Sequence, residues 1–149
     1  MYRLYSITKN QDKTEKQSIY EYENATEAEG NFELKKGQVM ADGKFAFLML
    51  LDNIGQIHDG YITMVGEGTI RPRLFEAKTK EAEVSQIYPY DTNEAVSADF
   101  YKRLGGAKLD STVKATMLRG IGANGEQLEY AYWVRPIEQE EPTPEEVTE

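Results

Sequence analysis

The first residues of the chain have the composition of a β-strand, in which successive side chains point to opposite faces. Within Tyr2–Thr8, one face would carry Tyr2, Leu4 and Ser6, and the other would carry Arg3, Tyr5 and Ile7. A polar stretch follows, and then a second β-forming run, Ser18–Glu23. Two such runs joined by polar residues predict a β-hairpin.

A helix is predicted after this hairpin, because Asn24–Glu27 has the residue spacing of a capping box. Asp91–Glu94 offers the same spacing in the second half of the chain. Apolar residues then recur at helical intervals over about three turns in each half. They are Ala28 and Phe32 in the first half, and Val96, Phe100 and Leu104 in the second. Gly37 and Gly105 are the expected C-caps, with a kinked continuation of each helix as the alternative.

Two β-forming runs follow each predicted helix, separated by glycine-containing turns. They are Phe45–Leu51 and Gln56–Val65 in the first half, and Val113–Arg119 and Gln127–Val134 in the second. This arrangement predicts one more hairpin in each half. Because Phe45–Leu51 is apolar at every position, both faces of this strand are expected to be covered.

The chain repeats itself. Arg3-Leu4-Tyr5 echoes Arg73-Leu74-Phe75 at an offset of 70 residues, and Ile19–Tyr22 echoes Ile87–Tyr90 at an offset of 68. Further matches at 68 are Phe32 with Phe100, Gly37 with Gly105, and Met49-Leu50 with Met117-Leu118; Asn53, Gln56 and Tyr61 match Asn124, Gln127 and Tyr132 at 71. The offset changes in two predicted turns, where an insertion leaves the alternation of the flanking strands intact. The pattern indicates an internal duplication.

The predicted fold class is α+β, with two tandem strand–strand–helix–strand–strand repeats. The first repeat covers residues 1–65, a short linker covers 66–70, the second repeat covers 71–136, and an acidic disordered tail covers 137–149. A repeat of about 65 residues has a thin core of its own. We therefore expect one compact body with pseudo-twofold symmetry, made of antiparallel sheets with one helix each.

The net charge of −9 comes largely from the end of the chain. Glu138–Glu149 contains six glutamates and no basic residue, so the remaining body carries only −3. No basic stripe offers phosphate contacts, and direct binding of nucleic acid is not expected. The chain has no cysteine, which excludes disulfides and thiolate chemistry. The beginning of the chain lacks the features of a signal peptide, and no apolar run is long enough to cross a membrane.

One glycine motif invites a nucleotide-binding interpretation. Gly120–Gly125 matches the spacing G-x-G-x-x-G, which in dinucleotide-binding folds lies between a strand and a helix. Here Gln127–Val134 follows, and it has the composition of a strand. A glycine-rich hairpin loop is the expected structure. We find no pattern for catalysis, a metal or a cofactor, and we expect none of them.

Two sets of residues are candidates for binding. Tyr130, Tyr132 and Trp133 lie in a strand that is apolar on both faces, so it is either covered by the other repeat or exposed as a docking surface. Arg3 and Arg73 occupy equivalent strand positions. In a pseudo-twofold body they could flank one groove and hold a small anionic ligand, although arginines exposed on the surface are the simpler alternative.

Several short sequence motifs of the first half resemble motifs in a group of small, uncharacterised proteins of phages and prophages of gut-type Firmicutes. They are Tyr2-Arg3-Leu4-Tyr5, Ile19–Tyr22, Phe32 with Gly37, Leu48-Met49-Leu50 and Asn53-Ile54-Gly55. Members of that group usually contain a single repeat. The second half is a looser match, because Pro72 replaces the opening aromatic residue and Lys114 and Thr116 interrupt the apolar strand. The resemblance implies a phage origin and transfers no catalytic residue.

These observations favour a non-enzymatic protein that acts by binding another protein or by self-association. The favoured function is a structural or accessory part of a phage particle. The alternative is a small inhibitor of a host defence system, acting in the host cytoplasm during infection. Such an inhibitor would block a host protein or sequester an anionic signalling molecule.

Overall fold

The computed structural model describes residues 1–52 and 54–137, and the side chains of residues 58–60 are outside that description. The acidic tail that the sequence predicts therefore lies, apart from its first residue, outside the described residues. The elements in chain order are β1 (Tyr2–Lys9), β2 (Glu15–Tyr22), α1 (Ala25–Ala41), β3 (Phe45–Leu51), β4 (Ile57–Val65), β5 (Arg73–Thr79), β6 (Glu83–Pro89), α2 (Asn93–Leu109), β7 (Ala115–Ile121) and β8 (Gln127–Val134).

The two halves fold into two antiparallel sheets of the same topology, with strand orders β2-β1-β3-β4 and β6-β5-β7-β8. Each sheet packs one helix on its outer face. The inner faces of the two sheets pack against each other and form the largest core cluster. The predicted α+β fold of two similar ββαββ halves is confirmed.

The alternation of side chains along β1 determines which of them pack under α1 and which pack between the two sheets. Leu4 packs under α1, whereas Tyr5 and Ile7 point at the other sheet. In β3, Leu48 packs towards α1 and Phe47 towards the second sheet, so both faces are covered as the unbroken apolar run predicts. Tyr5 and Phe75 meet edge to face between the sheets, with ring centroids 4.8 Å apart.

The helices begin close to the predicted caps and end later than predicted. The Asn24 side chain accepts a hydrogen bond from Glu27 N, as in a capping box. In the second half Thr92 is the N-cap, and the choice of Asp91 is wrong by one residue. Both helices have 17 residues and continue past Gly37 and Gly105, so these glycines are not C-caps and each helix continues, as the alternative prediction states. Each helix continues for another turn because that turn buries one more side chain against the sheet. This side chain is Val39 in α1 and Ala107 in α2.

The strand register corrects the alignment of the two halves. Leu48 pairs with Ser6 and Leu118 pairs with Glu76, so β3 and β7 correspond at an offset of 70 rather than 68. Accordingly β7 is Ala115–Ile121, two residues later than predicted. By the same register Met49 corresponds to Arg119, because Tyr5 and Phe75 are their partners. A shift of two residues keeps the alternation of a strand unchanged, so the pattern alone cannot detect it.

The glycine-rich segment is a hairpin loop, as predicted. Gly120 lies within β7, the chain turns at Gly125 with φ +77°, and β8 begins at Gln127. A strand follows these glycines, where a dinucleotide-binding motif would continue as a helix.

Candidate functional site

The equivalent arginines Arg3 and Arg73 join the two halves. Arg73 Nη2 donates a hydrogen bond of 2.6 Å to Glu15 Oε1 in the first half. Arg3 Nη2 donates to Glu83 Oε1 in the second half. Both arginines are buried. Each guanidinium is thus already paired with a carboxylate of this chain, and binding of an external anion by this pair of residues stays a prediction.

A cleft of about 790 Å³ lies beside one of these ion pairs, at the junction of the two halves. We call it the junction cleft, and it is lined by Lys9, Lys13, Thr14, Glu15, Gln17, Thr69, Ile70, Arg71, Pro72, Arg73, Pro89, Asp91, Thr92, Asn93 and Ala123. Arg3 does not line it. Its four basic and two acidic residues leave an excess of two positive charges, in a chain whose net charge is −9. An anion is therefore favoured in this cleft.

The basic residues of the junction cleft differ in how far they are already paired. Lys9 Nζ donates to Thr69 O at 2.6 Å, which fixes it to the junction. Arg71 pairs with Asp91 at 3.1 Å, and both side chains are more than half exposed. Within the described part of the chain, no carboxylate pairs with Lys13. Lys13 and Arg71 are therefore the two cations that a ligand could recruit at small cost.

The beginning of α2 also faces the junction cleft. Thr92 is its N-cap and accepts a hydrogen bond from Ala95 N at 3.1 Å, and Asn93 is its first residue. Both residues line the cleft. The positive end of a helix adds to the attraction of an anion by neighbouring cations.

The turn of the first half that contains Gly55 packs against β7 and β8. Tyr130 Oη donates to Ile54 O at 2.6 Å, and Arg119 Nη2 donates to Gly55 O. The Arg119 guanidinium lies over the Tyr130 ring, 4.2 Å from its centroid. Burial lowers the pKa of Arg119 below its ordinary value. The other half thus covers Tyr130, as the first of the two alternatives for this strand predicts, rather than leaving it exposed as a docking surface.

The other aromatic residues of β8 have different surroundings. Tyr132 is 42% exposed, and Val134 on the same face is 51% exposed. Trp133 is half-buried and stacks with Arg135, whose guanidinium carbon lies 4.8 Å from the ring centroid. Arg135 in turn donates to Asp110 O at 2.9 Å and to Lys108 O at 3.0 Å, just after and within the last turn of α2. Sequence reasoning missed Arg135, because it caps a helix that lies more than 20 residues earlier in the chain.

Comparison of the chain with protein-family models, with curated proteins and with solved structures finds no match to any of the three. Among the described residues, neither helix is long and apolar enough to cross a membrane.

Proposed function

We propose that this chain is a non-enzymatic binding protein that takes a small anion in the junction cleft. The observation that carries the proposal is the surplus of basic residues in a cleft of about 790 Å³. That volume falls in the range of small-molecule sites, roughly 300–1,000 Å³. In the setting that the phage resemblance implies, the ligand would be an anionic signalling molecule of the host. The protein would sequester it in the host cytoplasm during infection.

Phosphate-type anions suit this cleft best. A phosphate group accepts several charge-assisted hydrogen bonds at once, which Lys13 and Arg71 can donate. It also matches the positive end of a helix, which the beginning of α2 supplies. Arg73 would stay paired with Glu15 and would shape the wall of the cleft.

The proposal predicts that charge reversal in the junction cleft weakens anion binding. We expect inorganic pyrophosphate to bind the full chain in isothermal titration calorimetry at low salt, and binding to weaken as salt rises. Lys13→Glu and Arg71→Glu should each weaken it by about tenfold or more, the loss of one charge-assisted hydrogen bond. Both side chains are exposed, so folding should be unaffected.

The matched control is Lys102→Glu, which makes the same charge change on an exposed face of α2 outside the cleft. The two variants are compared in about 0.1 M salt, where the Debye length is roughly 10 Å and exposed charges farther away are screened. Lys102→Glu should then leave pyrophosphate affinity within about twofold. An equal loss in Lys102→Glu and Lys13→Glu would show a response to net charge alone and would overturn the site.

A second candidate function is a structural or accessory part of a phage particle. The observation that favours it is the exposed pair Tyr132 and Val134 on β8, which is an edge strand of its sheet. An exposed edge offers unpaired backbone groups to a neighbouring chain, and aromatic residues dominate protein interfaces.

Under this second candidate, Tyr132→Glu should remove the protein from purified particles of the encoding phage. Peptide mass spectrometry, with copy number referred to the major capsid protein, measures the incorporation. Leu34→Glu is the control, since Leu34 is also exposed but lies on α1. Absence of the unaltered protein from the particles would exclude this function and leave the anion-binding proposal standing.

A further inference from the structure

In each half a basic residue of the helix lies over the outer strand of the sheet, and the strand register shows which residues of the two halves correspond. Ser6 pairs with Ser18 in the first half, and Glu76 pairs with Gln86 in the second. Lys35 and Arg103 lie at the same distance from their N-caps. Each places its cation over a tyrosine ring of the outer strand: Lys35 over Tyr20 at 5.5 Å, and Arg103 over Tyr88 at 3.8 Å.

The second half neutralises its cation with its own carboxylates. Glu76 is buried beneath α2, and its Oε1 lies 3.6 Å from Arg103 Nη1 and accepts a hydrogen bond of 3.3 Å from Tyr88 Oη. Its Oε2 lies 3.6 Å from Lys78 Nζ. Arg103 Nε also donates to Asp99 Oδ2 at 2.7 Å. This part of the second half therefore contains both the cations and the anions that a closed ion-pair network needs.

The first half keeps the cation and lacks both anions. Ser6 stands where the second half has Glu76, and Asn31 stands where it has Asp99. A cavity of about 250 Å³ remains there, which we call the basic groove. It is lined by Ser6, Thr8, Asn10, Lys16, Ser18, Tyr20, Lys35, Gln38, Val39, Asp42 and Lys44.

The charges that line the basic groove favour a negatively charged ligand. Three lysines line it against one carboxylate, Asp42. Among the described residues, none of these lysines forms an ion pair. Ser18 and then Lys35 lower the pKa of the neighbouring Tyr20 phenol below its ordinary value, so the groove already favours negative charge on one of its own groups.

We propose that the basic groove is a site for a small carboxylic acid, whose carboxylate takes the position that Glu76 holds in the second half. Lys35 would supply the cation that Arg103 supplies to Glu76, and the hydroxyls of Ser6 and Ser18 would donate to the carboxylate. The second charge of a dicarboxylate would meet Lys16 or Lys44 at the mouth. The site is separate from the junction cleft and does not depend on the proposed function.

The chain provides its own internal control for a binding experiment. Glutarate, a five-carbon dicarboxylate, would be titrated into the isotope-labelled full chain at constant ionic strength and followed by amide chemical shifts. We expect shifts at Ser6, Ser18 and Lys35, and none at the corresponding residues Glu76 and Arg103. Equal shifts in both halves, or none in either, would overturn the proposal.

Two variants separate the site from a general attraction to lysines. Lys35→Gln should weaken glutarate binding by about tenfold, the loss of one charge-assisted hydrogen bond. Ser6→Glu copies the second half into the first, and it should abolish binding because the protein then supplies the carboxylate itself. Lys102→Gln, on the exposed face of α2, should change nothing. Unchanged binding in Lys35→Gln would contradict the site.

Inorganic phosphate distinguishes the class of anion. The Glu76 template favours a planar carboxylate, so glutarate should bind more tightly than phosphate at the same ionic strength. A tighter phosphate complex would overturn the carboxylate assignment. Lys13→Glu in the junction cleft should leave glutarate affinity unchanged, which keeps failure of this site distinct from failure of the proposed function.

Discussion

The Glu15→Ala variant is expected to lose about 3 kcal/mol of its free energy of unfolding or more. The Glu15 side chain is 8% exposed and the Arg73 side chain that it pairs with is 3% exposed. Without Glu15, Arg73 would remain buried between the halves as an uncompensated charge, and Arg71 N would lose an acceptor. Urea denaturation at pH 7, followed by circular dichroism, measures the loss.

Glu83→Ala is the matched control, because pseudo-symmetry gives Arg3 the same kind of pair in the other direction. The Glu83 side chain is 37% exposed, and Arg3 has a second carboxylate partner in Glu21 at 3.3 Å. We therefore expect a loss of about 1 kcal/mol or less, as for pairs in contact with solvent. Equal losses in the two variants would show that burial of the Glu15–Arg73 pair is not what stabilises the junction.

The second large effect is expected for Gly55→Val. Gly55 has φ +81°, a conformation that β-branched residues scarcely adopt. A Cβ at this position would also lie 2.2 Å from Met117 Cγ in the other half. Backbone strain and overpacking together should cost about 3–4 kcal/mol and separate the turn from β7 and β8. The same denaturation experiment measures the loss.

Gly43→Val separates the two causes of that loss. Gly43 also has a positive φ of +66°, but a Cβ there would meet nothing within 4 Å. This variant should lose only the backbone part, about 1–2 kcal/mol. If Gly43→Val and Gly55→Val are destabilised equally, contact between the Gly55 turn and the second half contributes little.

Most of the secondary structure of the two similar halves was predictable because local chemistry determines it. The alternation within Tyr2–Thr8 fixes both faces of β1, and the Asn24 side chain accepts a hydrogen bond from Glu27 N, one of the free amides that begin α1. The continuous apolar character of Phe45–Leu51 requires cover on two faces, which a second sheet and a helix provide. These features need no knowledge of distant contacts.

The predictions of the helix ends and of the alignment between the halves were wrong where tertiary packing outweighs local preference. Gly37 and Gly105 are good C-caps by type, yet burial of Val39 and Ala107 continues both helices for another turn. Met49 was matched to Met117 because the two residues are of the same type. The pairing of β3 with β1 and of β7 with β5 shows instead that Met49 corresponds to Arg119. Such pairing becomes visible only in three dimensions.

The candidate sites could be predicted only in part. The equivalence of Arg3 and Arg73 was visible in the sequence, but their carboxylate partners were not, since Glu15 and Arg73 are 58 residues apart. The basic surplus of the junction cleft is also hidden, because the whole chain is acidic. The difference between Ser6 and Glu76 can be interpreted only after the strand register has aligned the two halves.

The most direct test of the anion-binding account is native mass spectrometry of the full chain, produced in bacteria and purified at low salt. The account predicts one additional mass per chain, carried by a small anion that is released at high salt. The fraction of chains with this mass should fall in Lys13→Glu and stay unchanged in Lys102→Glu. A chain that carries no anion and gains none when pyrophosphate is added would contradict the account.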